Sequence, residues 1–138
     1  GYIAGVFDLF HIGHLNMFKR AKEQCRYLIV GVVSDEGVRL NKQAEPFVPF
    51  DERIEMVRSC KYVDEAIKLP LDFCGTRDMF KIYHFDVQFS GSDYEHDPAW
   101  LAEKEFLEKN GSTMVFFPYT QSTSSTKLKK AIENRINN

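Results

Sequence analysis

Tyr27-Leu28-Ile29-Val30-Gly31-Val32-Val33 is a continuous apolar run rich in β-branched residues. A strand with one wet face alternates apolar and polar residues, whereas a strand covered on both faces reads as an unbroken apolar run. The segment therefore marks a central strand of a parallel sheet, and parallel neighbours must be joined by crossovers, usually helical. Upstream, Leu15, Phe18 and Ala21 recur at helical spacing and predict a helix from about His14 to Gln24. Tyr2–Ala4 is a short buried strand running into a turn at Gly5.

Downstream, Ser34 to Pro49 is polar, carries two prolines and mixed charges, and reads as a loop or partly helical lid. Asp51–Ser59 reads as a helix with Ile54, Met56 and Val57 turned inward and Asp51 and Glu52 at its positive end. Ala66–Leu69 is a candidate strand, Thr76 a candidate cap for a helix through Tyr83, and Asp86–Ser90 a strand ending at Gly91. Asp97-Pro98 is a strong helix start and Asn110-Gly111 a left-handed stop. Thr113–Phe117 is the last strand, and Ser124 or Ser125 caps a final basic helix. This alternation predicts an α/β fold, a Rossmann-like, doubly wound parallel sheet in three α/β/α layers, with residues 1–138 forming one domain. Ligands of such sheets bind beyond the carboxyl ends of the strands. The turns after Tyr2–Ala4, at Gly91 and after Phe117 should meet there.

Composition narrows the function. The chain is 43% hydrophobic and 28% charged with a formal charge of −2, ordinary for a soluble protein and without the strong basic excess of a nucleic-acid binder. No nucleic-acid partner is expected, and no apolar stretch is long enough to span a bilayer, so no membrane partner is expected either. Cys25, Cys60 and Cys74 are odd in number and lack metal-ligand spacing, which reads as free thiols in a reducing, cytoplasmic setting. The first residue is Gly1 rather than Met, so a short segment is expected to precede it.

The chemistry concentrates in Gly5-Val6-Phe7-Asp8-Leu9-Phe10-His11-Ile12-Gly13-His14. Two histidines around Gly13 stand where the first strand hands over to the first helix. A helix N-terminus offers free N–H groups and a positive dipole end, which suit a phosphate. Two imidazoles nearby could hydrogen-bond phosphate oxygens as their charge grows. The pair could instead cap the helix or bind a metal. No third ligand stands at metal spacing, and the flanking glycines favour phosphate. Thr120 to Lys127 forms a second, hydroxyl-rich turn opening the last helix, which alone would read as an ordinary capping loop.

Taken together, His11-Ile12-Gly13-His14 within its G-x-F-D-x-F-H-x-G-H frame, Tyr62-Val63-Asp64-Glu65, and Ser124-Ser125-Thr126-Lys127 resemble the H-x-G-H nucleotidyltransferases, and among them the cytidylyltransferases that act on glycerol phosphate. The resemblance implies transfer of CMP from CTP to a small alcohol phosphate, with release of pyrophosphate by in-line displacement. Phosphocholine, phosphoethanolamine, a sugar-alcohol phosphate or adenylyl transfer are the alternatives, as is a nucleotide-binding module without catalysis. The resemblance also implies Mg²⁺ carried by the triphosphate, no dedicated protein metal site, a homodimer, and a product suited to capsule or wall-polymer synthesis.

Residue by residue, it makes His11, His14 and Lys42 catalytic. It places Gly5, Val6, Phe7, Gly13, Gly91, Asp93, Tyr119, Thr120, Ser124, Ser125 and Thr126 along the nucleotide, and Asp8, Lys42 and Arg53 on the acceptor side. Five positions depart from the pattern: Val6 replaces a threonine, Ala44 a second lysine, Tyr119 an arginine, and Ser122-Thr123 a Gly-Ile pair. Lys127, Lys129 and Arg77 are the candidates to replace the two missing cations.

Overall fold

The computed structural model describes residues 1–71, 75–118 and 124–137, with the side chain of Lys42 also left out. The described elements are β1 (Tyr2–Gly5), α1 (Ile12–Glu23), β2 (Ile29–Val33), α2 (Asp35–Lys42), α3 (Phe50–Arg58), β3 (Glu65–Leu69), α4 (Thr76–Tyr83), β4 (Val87–Gly91), α5 (Pro98–Lys109), β5 (Thr113–Phe117) and α6 (Ser125–Asn137). A single 3-10 turn, Ser92–Tyr94, follows β4. The strands form one parallel sheet in the order β3-β2-β1-β4-β5. Register runs Tyr2↔Ile29 to Gly5↔Val32 and Ile29↔Glu65 to Val33↔Leu69, with Tyr2↔Gln88 joining the two halves. The order therefore reverses between β1 and β4, the switch point at which such sheets take ligands.

Both faces of the sheet are covered, as the run at Tyr27–Val33 requires. Leu28, Val30 and Val32 join Ile3, Phe18, Ala21, Ile54 and Val57 in one core, on the side of α1 and α3. Ile29 and Val33 pack on the other side, against the core of Leu69, Met79, Leu107 and Met114 that α4 and α5 close.

The structure moves several boundaries for local reasons. Strand β2 starts at Ile29, because Tyr27 is solvent-exposed and the Leu28 N–H bonds to the Asp64 carboxylate (2.7 Å) instead of a ladder partner. The lid stretch contains a true helix, α2: Ser34 Oγ accepts from the Gly37 N–H at 3.1 Å, and Asp35 and Glu36 occupy the first turn. Met56, expected to point inward, is 53% exposed. Gly75 rather than Thr76 takes the cap position of α4. Helix α5 starts and stops where the sequence indicates: Asp97 Oδ1 accepts from the Ala99 N–H (2.8 Å), and Gly111 lies at φ +83° beyond its end.

Candidate functional site

The connection from β1 to α1 is strained. Phe7 and Leu9 adopt left-handed backbone angles, φ +56° and +52°, which cost L-residues about 1–2 kcal/mol each. Gly5 is required by the same turn, since a Cβ there would stand 2.7 Å from Cζ of Phe7. The glycine thus accommodates a side chain of the chain's own loop, where the sequence suggested close approach of a ligand.

Asp8, between the two strained residues, holds the turn. It is 2% exposed. Its two oxygens accept from the N–H groups of Phe47 and Val48, both at 2.9 Å, and Oδ2 pairs with Lys129 Nζ at 3.0 Å. Its carbonyl accepts from Ser125 Oγ at 2.7 Å. Burial alone would raise its pKa, but the Phe47 N–H, Lys129 and the Val48 N–H outweigh it and hold the carboxyl below the usual range. One residue thereby fastens the histidine loop, the segment before α3 and the start of α6 to one another.

The histidines form a reciprocal cap on α1. The Gly13 N–H donates to His11 Nδ1 at 2.9 Å, and the His11 N–H donates to His14 Nδ1 at 3.3 Å. A nitrogen that accepts from an N–H carries no proton, so each neutral ring keeps its proton on Nε2. The rings lie 4.0 Å apart between centroids, and His14 is packed by Phe7 (5.4 Å) and Phe10 (5.3 Å). Burial pushes the His14 pKa down to about 3, with the neighbouring His11 adding to the effect and Asp8 opposing it; burial also lowers that of His11. Two neutral imidazoles therefore stand at the positive end of a helix with both Nε2–H donors unused among the described residues. That arrangement can donate to the oxygens of a phosphate, and burial keeps His14 uncharged well below neutrality.

The remaining sequence candidates divide. Val6 contributes its carbonyl, but to Arg53, and Gly13 contributes its N–H to the cap. Gly91 ends β4 and Asp93 sits exposed in the 3-10 turn that follows, on the carboxyl side of the sheet. Ser124 Oγ accepts from the Lys127 N–H (3.1 Å) at the start of α6, Ser125 is held by Asp8, and Thr126 is exposed. Lys42 is the last residue of α2. Its side chain, together with Tyr119, Thr120 and Cys74, lies outside the described residues. Of the candidate replacement cations, Lys129 is bound to Asp8, and Arg77 pairs with Glu103 at 3.1 Å.

Arg53 differs most from its expected place. It is 1% exposed and makes four hydrogen bonds: Nε to the Val48 carbonyl (2.8 Å), Nη1 to the carbonyls of Val6 (2.7 Å) and Val33 (2.8 Å), and Nη2 to Asp35 Oδ1 (2.7 Å). Four of a guanidinium's five donors are thus engaged inside the protein. Arg53 ties the ends of β1 and β2 to the lid and to the start of α2, and does not present its charge to an acceptor. An arginine in a sequence gives no sign of whether its fork faces a ligand or backbone carbonyls.

Two of the cavities lie on opposite faces of the sheet, and the histidine loop lines the first. One, about 400 Å³, lies on the α3 side and is mainly apolar, lined by Phe7, Leu9, Phe10 and Met56 with Glu52 and Glu55 at its edge. The other, about 240 Å³, lies on the opposite face of the sheet, between the starts of α4 and α5. Gln88 and Trp100 line it. The sequence reading missed Gln88, for which a glutamine buried inside strand β4 is the available signal. Among the described residues no three His, Cys, Asp or Glu side chains gather as metal ligands, and no helix is long and apolar enough to cross a membrane.

The chain is similar to known proteins in sequence and in fold. The chain is 37% identical to an FAD synthase of Thermococcus kodakarensis over 139 residues, covering 97% of this chain and 89% of that protein. It is 41% identical to an ethanolamine-phosphate cytidylyltransferase of Dictyostelium discoideum, spanning 98% of this chain but only 38% of that longer protein. It is 32% identical to a glycerol-3-phosphate cytidylyltransferase of Bacillus subtilis, over 93% of this chain and 92% of that one. Among solved structures, a lipopolysaccharide core biosynthesis protein of Thermoplasma volcanium superposes with a TM-score of 0.69 at 25% identity, over 88% of this chain and 96% of that one. A pantoate-beta-alanine ligase of Francisella tularensis shares the fold at a TM-score of 0.62 and 14% identity, over 96% of this chain and 68% of that one. Residues 2–131 match the cytidylyltransferase-like family, and the chain belongs to it as a nucleotidyltransferase.

Proposed function

We propose that the protein transfers CMP from CTP to a small phosphorylated alcohol, with glycerol phosphate the first candidate, and releases pyrophosphate. The pair of neutral Nε2–H donors at the start of α1 carries this reading. An oxygen of the acceptor's phosphate attacks the α-phosphorus of CTP. The new P–O bond forms as the bond to the β-phosphate bridge breaks, and its electron pair leaves with pyrophosphate. The nucleophile is already an anion, so the reaction needs positioning and charge stabilisation more than a protein base. His11 and His14 donate to the α-phosphoryl oxygens, Lys42 neutralises the incoming phosphate, and Gly91, Asp93, Tyr119, Thr120 and the start of α6 hold the nucleotide. Asp8 and Arg53 serve by positioning the loop and the lid. Mg²⁺ enters with the triphosphate as part of the substrate.

The FAD synthase relatives support a second reading, adenylyl transfer from ATP to FMN. Pyrophosphate release with CTP or ATP against glycerol phosphate, phosphoethanolamine, phosphocholine and FMN separates the two. The expected result is release from CTP with one alcohol phosphate and none from ATP with FMN. Release from ATP with FMN alone reverses the choice, and nucleotide binding with no release from any pair removes both.

A further inference from the structure

Gln88 is the second residue of β4, level with Tyr2 of β1, with 2% of its surface exposed, and its Oε1 is buried without a hydrogen-bond partner. Buried amide oxygens are almost always paired, because an unmade bond costs the fold stability. This oxygen belongs to a side chain that lines the cavity of about 240 Å³ over the junction of β1 and β4, where the strand order reverses. Ala4 of β1 is exposed there, although Tyr2 and Ile3 beside it are buried. Trp100 forms the far wall, with one ring face covered by Tyr94 (4.4 Å, 25° between planes). Glu103, the acidic residue on that wall, receives Arg77 Nε on both oxygens at 3.1 and 3.2 Å. The described walls thus offer an unpaired amide oxygen and no unpaired charge.

We infer that this cavity takes the hydroxyl-bearing end of the acceptor, and that Gln88 makes the enzyme select a phosphorylated polyol over a phosphorylated quaternary amine. The inference rests on the alcohol-phosphate reading above. A hydroxyl both donates and accepts, so it satisfies the amide in either orientation. A trimethylammonium group has no N–H or O–H to give, and it would bring an uncompensated cation against a wall whose carboxylate is already paired. The ribose of the nucleotide carries the same hydroxyl chemistry. The lining comes from β1, β4 and the starts of α4 and α5, and includes neither the described nucleotide candidates Gly91, Asp93, Ser124, Ser125 and Thr126 nor Asp8 and Arg53, so the KM for CTP against that for the acceptor separates the two occupants.

Gln88→Leu tests the inference by steady-state kinetics with CTP. The expected result is a KM for glycerol phosphate raised about tenfold, the size of one lost buried hydrogen bond, with kcat and the KM for CTP within about twofold. Phosphocholine should be a poor acceptor for both proteins, and phosphoethanolamine intermediate. Tm should stay level or rise, since an unpaired oxygen is removed. A fall in Tm with unchanged KM values would make Gln88 structural and overturn the assignment. So would a raised KM for CTP alone, which points to the ribose, or phosphocholine equalling glycerol phosphate in the unmodified enzyme. If no acceptor releases pyrophosphate, the reaction reading fails, and the cavity is read directly by the Gln88 side-chain amide signals of ¹⁵N-labelled protein. A shift with glycerol phosphate that inorganic phosphate does not produce supports the site, and its absence overturns it.

Discussion

Asp8→Asn removes the charge from the residue on which three segments converge. Asparagine keeps one acceptor oxygen for two backbone donors, so its NH₂ must face the N–H of Phe47 or Val48, each now 2.9 Å from an oxygen. The 3.0 Å pair with Lys129 is lost as well. A hydrogen bond to a charged group contributes about 1.5–3 kcal/mol and an unsatisfied buried N–H costs about 1–3 kcal/mol. Together they give a loss of about 3–5 kcal/mol, the range found on breaking a buried pair. For a chain of this size that is a fall in Tm of about 10–15 °C. Thermal unfolding followed by circular dichroism measures it. The protein should remain folded at 25 °C, because the loss lies below the usual total of about 5–15 kcal/mol. Release of the left-handed angles at Phe7 and Leu9 should also lower kcat at least tenfold. Lys129→Met is the control: both backbone N–H groups keep their carboxylate, and Tm should fall less than about 5 °C. A Tm for Asp8→Asn within 3 °C of the unmodified protein would falsify the anchoring role. Equal damage from the two substitutions would transfer it from the backbone donors to the ion pair.

Three further outcomes follow from the same geometry. His14→Asn should lower kcat by about 10²–10³, as expected for one transition-state donor, while nucleotide still binds by calorimetry; turnover within threefold of normal takes His14 out of the chemistry. His14 is held neutral in the folded state and protonates near 6.5 when unfolded, so the unfolded chain binds more protons and stability falls as pH drops below about 6.5. The loss reaches about 2 kcal/mol between pH 7 and 5. It should be read in urea midpoints and shrink in His14→Asn to the share that His11, also lowered by burial, contributes, whereas losses from Asp8, Asp35 and Asp64, whose pKa values are lowered, belong below about pH 4. Arg53→Lys cannot reproduce the fork and should lower Tm by about 10 °C or more, leaving the KM for acceptor within about twofold; a large KM increase at unchanged Tm would return Arg53 to the acceptor site.

The layered sheet was legible because Tyr27–Val33 could only be covered on both faces, and Asp97-Pro98 and Asn110-Gly111 set α5 by purely local chemistry. What escaped was decided at a distance or by a single side chain. Helix α2 depends on one Ser34 cap within a stretch whose prolines and charges suggest a loop. Met56 lies near the inward stripe of α3, yet the exposed side of the 400 Å³ cavity receives it. Arg53 illustrates the same limit for function: its four partners come from β1, β2, α2 and the lid, and no spacing along the chain reports that they meet.

In the histidine motif the observed helix cap and the proposed phosphate role fall on different atoms of the same residues. In the sequence, a helix cap competed with phosphate binding as the reason for two histidines three residues apart. In the structure the cap uses Nδ1 of each ring, and an imidazole has a second nitrogen. By accepting from the backbone, Nδ1 forces the proton onto Nε2, so the cap itself fixes the tautomer a phosphate donor needs. Glutamine or asparagine at these positions could cap or donate, but none offers an acceptor and a donor on opposite sides of one rigid ring. The strained turn at Phe7–Leu9, held by Asp8, then sets where those rings stand relative to the end of the sheet. The local fold of this loop and its readiness for phosphate chemistry are therefore the same set of hydrogen bonds.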